Sequence, residues 1–371
     1  MQFEGIKKGL GFGCMRLPMK DGEVEYKEFS EMVDAFLESG FNYFDTAHGY
    51  LQGKSETALR DCLAARHPRD SFLLANKLSV NFFETEEDIR PFFEKQLELC
   101  GVEYFDIYLM HAQNAEYYKK YSRTRAYEIA AELKAEGKIK HIGISFHDKA
   151  AVLDKILTEH PEIELVQIQF NYVDYDDPAI ESAEVYRTCV KHGKPAIIME
   201  PVKGGVLANL PEDIKGVFDA LNGGSPASYA IRYAAGFPGV ALVLSGMSSM
   251  EQLTDNIGFM SEFKPLDKKE AEAVAEARAR FRRKKLIGCT ACRYCVDGCP
   301  KNISIPDLFS CLNAKEQFSD WNSDWSYSVY TQNRGRASDC IKCGKCEEIC
   351  PQRLKIRELL SKLSMQFDGQ D

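Results

Sequence analysis

From residue 1 to about residue 265, short apolar runs alternate with amphipathic stretches. The runs are Leu10–Leu17, Asn42–Thr46, Phe72–Ser79, Phe105–His111, His141–Phe146, Leu165–Asn171, Ala196–Val202 and Val240–Ser245. They are short, rich in β-branched and aromatic residues, and mostly apolar on both faces, the pattern of strands buried in a parallel sheet. The stretches between them carry helical spacing. Tyr26–Ser39 closes at Gly40, Glu86–Cys100 at Gly101 and Arg125–Glu136 at Gly137. Glu56–Arg66 stops before Pro68, and Asp148 is expected to cap a helix running to Thr158. Asp177–His192 carries Pro178 in its first turn and ends at Gly193, Ser225-Pro226 opens a helix to Gly236, and Met250–Met260 ends the series. Eight strand–helix pairs in roughly 260 residues predict a (β/α)8 TIM barrel. The rival, a doubly wound open sheet, usually has fewer strands, and no GxGxxG follows the first one.

The barrel is expected to cover 1–265, with a linker helix over 266–285 whose Ala, Glu, Arg and Lys read as a solvated face. Beyond it, eight of the thirteen cysteines form two copies of one spacing. The first is Cys289-x2-Cys292-x2-Cys295-x3-Cys299-Pro300, the second Cys340-x2-Cys343-x2-Cys346-x3-Cys350-Pro351. This is the run that binds iron–sulfur clusters in bacterial ferredoxins, where the fourth cysteine of each run serves the other run's cluster. The expected ligand sets for two [4Fe–4S] clusters are therefore Cys289, Cys292, Cys295 and Cys350, and Cys340, Cys343, Cys346 and Cys299. Structural zinc usually uses paired CxxC knuckles rather than triplets, and disulfides need an oxidising compartment. The remaining cysteines, Cys14, Cys62, Cys100, Cys189 and Cys311, are scattered and read as small buried residues or exposed thiols. Helical spacing over Ile305–Phe318 and Lys355–Met365 predicts an α-helical ferredoxin-like domain over 286–371, with Trp321, Trp325, Tyr327 and Tyr330 packing around it.

A net charge of −9 argues against a nucleic-acid partner. No apolar run approaches the length of a membrane span, and the first residues lack a signal-peptide core. With the cluster cysteines, this points to a cytoplasmic protein in a reducing, oxygen-poor setting.

Four ionisable residues fall at or after three successive strand ends: Asp45 and Tyr50 after strand 2, Lys77 at the end of strand 3 and His111 at the end of strand 4. The C-terminal strand ends form the active face of such a barrel. Singly, each reads as structural, and a buried Asp–Lys pair needs no further role; together, they predict a site. Asp45 is expected to hold Lys77 charged, and Lys77 to lower the Tyr50 pKa from its ordinary value of about 10. Tyr50 then gives a proton to a carbonyl oxygen as hydride reaches carbon, with His111 bonding the same oxygen. His48 reads as a loop or pocket-wall residue.

At this point the chain resembles the aldo/keto reductase superfamily. FDTAHGY, NK after strand 3, MH ending strand 4, GIS, VQIQFNY and EPVKGG carry the likeness. With the double cysteine run, the chain is similar to the iron–sulfur-containing subgroup. The resemblance implies Asp45, Tyr50, Lys77 and His111 as catalytic residues and NADP(H) or NAD(H) across the barrel mouth. It places Ser145, Gln169 and Asn171 at the nicotinamide, and Lys203, Gly204 and Gly205 at the pyrophosphate. Gly246, Ser248, Gln252 and Asn256 fall on the adenosine side. Three positions depart from the family pattern: Phe146 stands where Asn is usual, Met199 (followed by Glu200) where a stacking Tyr is common, and Ser248 where many NADPH users have Arg.

The implied activity is interconversion of a small-molecule aldehyde or ketone with its alcohol, the clusters relaying electrons to or from a ferredoxin or flavoprotein. Hydride moves two electrons at once and clusters one, and no flavin motif bridges the two. Two other readings stand beside it: an electron-transfer or redox-sensing protein whose barrel binds nucleotide without turnover, and the same enzyme with purely structural clusters. The intact set of four speaks against the first. Substrate choice is expected to lie in the loops after strand 4 (Gln113–Arg123) and beyond residue 205. There Tyr117, Tyr118 and Tyr121 read equally as the lining of a polar pocket or as solvent-facing residues.

Overall fold

The computed structural model describes residues 3–176, 180–221, 223–284, 286–318, 322–331 and 333–369. Eight parallel strands close a barrel: β1 (Leu10–Gly13), β2 (Tyr43–Asp45), β3 (Leu73–Leu78), β4 (Phe105–Gln113), β5 (Ile139–Phe146), β6 (Leu165–Gln169), β7 (Ala196–Met199) and β8 (Val240–Ser245). Each pairs with the next in chain order, and β8 returns to β1 through Leu10–Val243 and Phe12–Ser245. Alternation along each strand sends one set of side chains inward. Tyr43, Ala75, Ile107, Leu109, Leu165 and Leu242 fill the interior as one cluster. Gly143 on β5 makes room for it, because a Cβ there would stand 2.7 Å from Leu109 Cδ2 and 2.8 Å from the Leu165 carbonyl.

The outward set packs on the surrounding helices. Tyr26–Glu38 buries Phe29, Met32, Val33 and Phe36, one stripe at helical spacing. Phe36 meets Phe12 and Phe44 with ring centroids 5.6 and 5.3 Å apart. Glu86–Cys100 starts with a reciprocal cap between Thr85 and Asp88 and ends on Gly101 at φ 66°.

Three local expectations need correction. Asp148 does not cap the next helix. That helix is Ala150–Glu159 with Lys149 at its N-cap, while Asp148 accepts from Ala115 N at 2.9 Å and pairs with Arg353. The stretch after β4 is a helix, Ala115–Arg123, because Asn114 accepts from the Glu116 and Tyr117 amides at 3.0 and 2.8 Å. Tyr118 and Tyr121 are buried beneath it, Tyr121 donating to the Leu78 carbonyl, so neither faces solvent. The helix expected from Asp177 begins at Ser182, and Pro178 lies outside the described residues.

The helix Lys268–Lys284 exposes charge on one face and lays Ala273, Val274, Ala277 and Phe281 on Leu210, Ile214 and Phe218 of the barrel's flank. The C-terminal domain beyond it is helical, with Ile305–Phe318, Asn322–Thr331 and Ile356–Leu363 around a core of Ile303, Leu308, Phe309, Leu312, Ile356 and Leu360. Tyr327 stacks on Phe367 at 4.6 Å and Tyr330 is exposed; Trp321 and the Trp325 side chain lie outside the described residues. This domain sits on the C-terminal ends of the barrel strands. Gln352 and Gln169 exchange two side-chain hydrogen bonds at 2.7 and 3.1 Å, and Arg353 pairs with Asp148. Among the described residues no helix is long and apolar enough to cross a membrane.

Candidate active site

Strand alternation builds the site. Tyr43, Ala75 and Leu109 face the barrel interior, so the residues two places on, Asp45, Lys77 and His111, come next at the mouth end of the same inward face. Lys77 Nζ reaches Asp45 Oδ1 at 2.5 Å and the Thr46 carbonyl at 2.7 Å. Both side chains are fully buried, and Gln167 donates to the other Asp45 oxygen at 3.4 Å. Tyr50 lies on a short turn in which Leu51 and Gln52 take left-handed backbone angles, φ 50° and 59°. Its hydroxyl lies 3.4 Å from Lys77 Nζ, and the ammonium stands 4.8 Å from its ring centre. The His111 ring is 6.2 Å from that of Tyr50, and its Nδ1 lies 2.6 Å from Ser79 Oγ. His48 is bound by Glu56 at 2.6 Å and stands perpendicular to the stacked rings of Phe82 and Phe92.

The expected lowering of the Tyr50 pKa is reversed. Burial, with Asp45, Cys14 and Glu200 nearby, holds the phenol well above its ordinary value, Arg16 opposing weakly. The physical reason is that Asp45 already neutralises Lys77 at 2.5 Å, so little net positive charge is left to favour a phenolate. Burial, reinforced by Lys77 and His147, depresses His111 well below the usual imidazole value, so it is neutral at physiological pH. Burial also raises Glu200, which ends the strand run of β7 at φ 58° and has one carboxylate oxygen without a partner.

The buried pair has a stability consequence. Lys77→Met leaves the Asp45 carboxylate buried without its cation, which is expected to cost about 3–5 kcal/mol in urea unfolding. Adding Asp45→Asn should recover part of that loss. A Lys77→Met protein as stable as the wild type would show that the pair carries no buried charge.

The residues expected at the nicotinamide are engaged within the protein. Ser145 Oγ accepts from Ala112 N at 2.7 Å. Gln169 binds Gln352, and it also donates to Asp174 at 2.9 Å. Asn171 donates to Asp174 at 2.7 Å, and Lys203 pairs with the same carboxylate at 2.5 Å. A Cβ on Gly204 would stand 3.4 Å from the Thr290 carbonyl, so this loop touches the first cysteine run; Gly205 is next at φ 102°. The adenosine-side positions lie apart from these contacts. Ser248 N donates to Gln252 Oε1 at 2.8 Å, Ser248 Oγ to the Arg16 carbonyl, and buried Asn256 to Ser245 Oγ at 2.8 Å, with Gly246 against Arg16. As docked, Gln169 and Lys203 thus have their polar groups engaged within the protein.

The cysteines fit a cluster. Cys289, Cys292, Cys295 and Cys350 line one cavity with Phe309 and Ile356, bringing the fourth cysteine of the second run to the first run. Among the described residues no three such ligand side chains converge closely enough to hold a single metal ion; the four surround a space. Cys340, Cys343 and Cys346 lie together in the second run, and Cys299 packs against the same apolar core. Cys343 is exposed, while Cys14, Cys62, Cys100, Cys189 and Cys311 are buried.

Sequence reasoning passes over the residues that join the two halves. Tyr294, between two cluster cysteines, is pushed up by burial and by neighbouring Tyr50, Cys292, Tyr117 and Glu200, which places it between the cluster cavity and the catalytic set. Asp174, Gln352 and Ser79 also escape it. Only Tyr294 and Gln352 carry a local signal, since both sit inside or beside the cysteine runs.

The Aldo/keto reductase family model matches residues 9–279, and a 4Fe-4S dicluster domain model matches residues 288–354. An uncharacterized oxidoreductase of Bacillus subtilis is 25% identical over 280 residues, 67% of this chain and 85% of its own length. The NADH-specific methylglyoxal reductase of Escherichia coli is 25% identical over 279 residues, 62% of this chain and 82% of its own. Among solved structures, an aldo-keto reductase from Bacillus halodurans in its holo form superposes with a TM-score of 0.60 at 26% identity, covering 73% of this chain and 92% of that one. The chain belongs to the aldo/keto reductase family and carries a C-terminal 4Fe-4S dicluster domain.

Proposed function

We propose that this oxidoreductase interconverts a small carbonyl compound and its alcohol at the barrel mouth, with Tyr50 moving the proton at oxygen. The observation that carries this reading is the buried chain Asp45–Lys77–Tyr50 beside His111. Reducing a carbonyl to an alcohol takes a hydride at carbon, which a reduced nicotinamide would supply when bound, and a proton at oxygen. Tyr50, held as a neutral phenol, gives the proton that ends on oxygen and takes it back in the reverse direction. Neutral His111, anchored through Nδ1 at the Ser79 hydroxyl, hydrogen-bonds the same oxygen through its other ring nitrogen. Asp45 and the Thr46 carbonyl fix Lys77, and Lys77 fixes the Tyr50 hydroxyl. Clusters held by the two cysteine runs supply one-electron exchange with a partner such as a ferredoxin or flavoprotein. Exposed Cys343, Ile341 and Ile349 mark the edge where such a partner approaches. Cluster chemistry suits a reducing cytoplasm. The intact set of Asp45, Tyr50, Lys77 and His111 disfavours a barrel that merely binds nucleotide.

A pH profile tests the proton donor. A phenol with a raised pKa keeps its proton at every pH below that value, so carbonyl reduction should lose nothing to Tyr50 ionisation up to about pH 10. Alcohol oxidation, which needs the phenolate, should climb with pH over the same range. A reductive rate falling with a midpoint near neutrality, absent in Tyr50→Phe, would sink the assignment.

A further inference from the structure

The residues that should hold a nicotinamide ring are the same residues that hold the dicluster domain. Gln169 spends its amide on Gln352, which is itself buried and stands two places after the cluster ligand Cys350. Asp174 gathers Gln169, Asn171 and Lys203, so the lysine expected at a pyrophosphate is already neutralised. The loop it belongs to is pressed against the first cysteine run. A Cβ on Gly288 would stand 3.6 Å from Lys203 Nζ, and one on Gly204 would stand 3.4 Å from the Thr290 carbonyl. On the far side of the mouth, Arg353 of the same segment pairs with Asp148 after β5. Tyr294 meanwhile stands near Tyr50 and Glu200, and Cys292 near Glu200. The loops bearing Cys289, Cys292 and Cys350 thus meet Gln169 at the end of β6 and Lys203 and Gly204 after β7, the positions that the family resemblance assigns to the nicotinamide and pyrophosphate.

We infer that docking of the dicluster domain and binding of a nicotinamide nucleotide exclude each other: residues 288–294 and 350–353 are an intramolecular occupant of the nicotinamide seat. The contacts are polar and specific on both sides. Gln169 and Gln352 satisfy each other's amides, and a nucleotide carboxamide would have to displace Gln352 to reach Gln169. A nucleotide therefore binds only the undocked fraction, and its apparent affinity falls by that fraction. The adenosine-side residues are free of this contact, which confines the competition to the nicotinamide and pyrophosphate positions. The inference concerns occupancy of the seat and stands whether or not Tyr50 is the acid.

The test is binding, not turnover. Full-length, cluster-reconstituted protein is titrated anaerobically with NADH and with NADPH by nucleotide fluorescence, and hydrogen exchange is followed across residues 350–354. The wild type is expected to bind either nucleotide with a Kd of about 1 mM or weaker. Gln352→Ala/Arg353→Ala removes the dock from one side and is expected to bind at least about tenfold more tightly at wild-type iron content. Asp148→Asn, which loosens the Arg353 latch from the barrel side and stays away from the cysteines, should move in the same direction. Wild-type binding accompanied by faster exchange in 350–354 also supports exclusion, because it shows the segment leaving. Micromolar wild-type binding with that exchange unchanged would overturn the inference. So would equal failure to bind in the wild type and in every variant, since the dock would then not be what keeps the nucleotide out.

Discussion

Tyr50→Phe is expected to lower carbonyl reduction by about a thousandfold, within the range found for a lost general acid. The phenyl ring keeps the shape that packs beside His111 and leaves the Asp45–Lys77 pair in place, so the loss should appear in kcat rather than in folding. Iron content should be unchanged, because none of the cysteines lining the first cavity depends on the Tyr50 hydroxyl. The measurement is turnover of a panel of small aldehydes and ketones by reconstituted protein, supplied with either a nicotinamide or a reduced one-electron donor. Running both donors matters. A loss with both shows that the proton step is common to them. Near-wild-type turnover with either donor would remove Tyr50 from the proton step for that donor, and would direct attention to Tyr294 or Glu200, two further ionisable groups beside it.

Much of this architecture is readable from periodicity alone. Strands buried on both faces are near-continuous apolar runs, and helices closing on Gly40, Gly101, Gly137 and Gly193 announce their ends. The convergence of Asp45, Lys77 and His111 is legible for a related reason. A polar residue two places beyond an inward-facing one at a barrel strand's end has nowhere to go but the mouth. Where the reading fails, the deciding contact is distant in sequence. Asp148 looks like any N-cap aspartate, yet its carboxylate is claimed by Ala115 and Arg353. Tyr118 and Tyr121 look like loop residues because their helix is mostly polar, and only its Asn114 cap gives it away. The sequence places Asp45 and Lys77 beside Tyr50 but not the depth of burial, which, with Asp45 neutralising Lys77, decides the sign of its pKa shift. The docking of the C-terminal domain on the barrel uses a contact between residues 183 positions apart, Gln169 and Gln352. No local pattern encodes such a pairing.

The second large effect concerns which cysteines share a cluster. Cys350 lines the same cavity as Cys289, Cys292 and Cys295, although 50 residues of chain or more separate it from each of them. Cys350→Ser is therefore expected to empty the first run's site, lowering iron from about eight to about four per chain. Pairs of substitutions make the assignment sharp. If Cys289 and Cys350 serve one cluster, Cys289→Ser/Cys350→Ser loses no more iron than either single change, whereas Cys289→Ser/Cys340→Ser loses nearly all of it. If each run keeps its own cluster, the pattern inverts: Cys340→Ser/Cys350→Ser stops at half, and Cys289→Ser/Cys350→Ser goes to zero. Non-additivity of this kind identifies groups acting as a unit without needing to know what either change costs alone. The domain's apolar core of Leu308, Phe309, Leu312, Ile356 and Leu360 is untouched by any of these changes, so half-loaded protein should remain folded long enough to be counted. The same series reads out the dock. Gln352 stands two residues beyond Cys350, and emptying the first site should loosen its hold on Gln169. Emptying the second through Cys343→Ser, at the exposed edge, should leave that hold as it was.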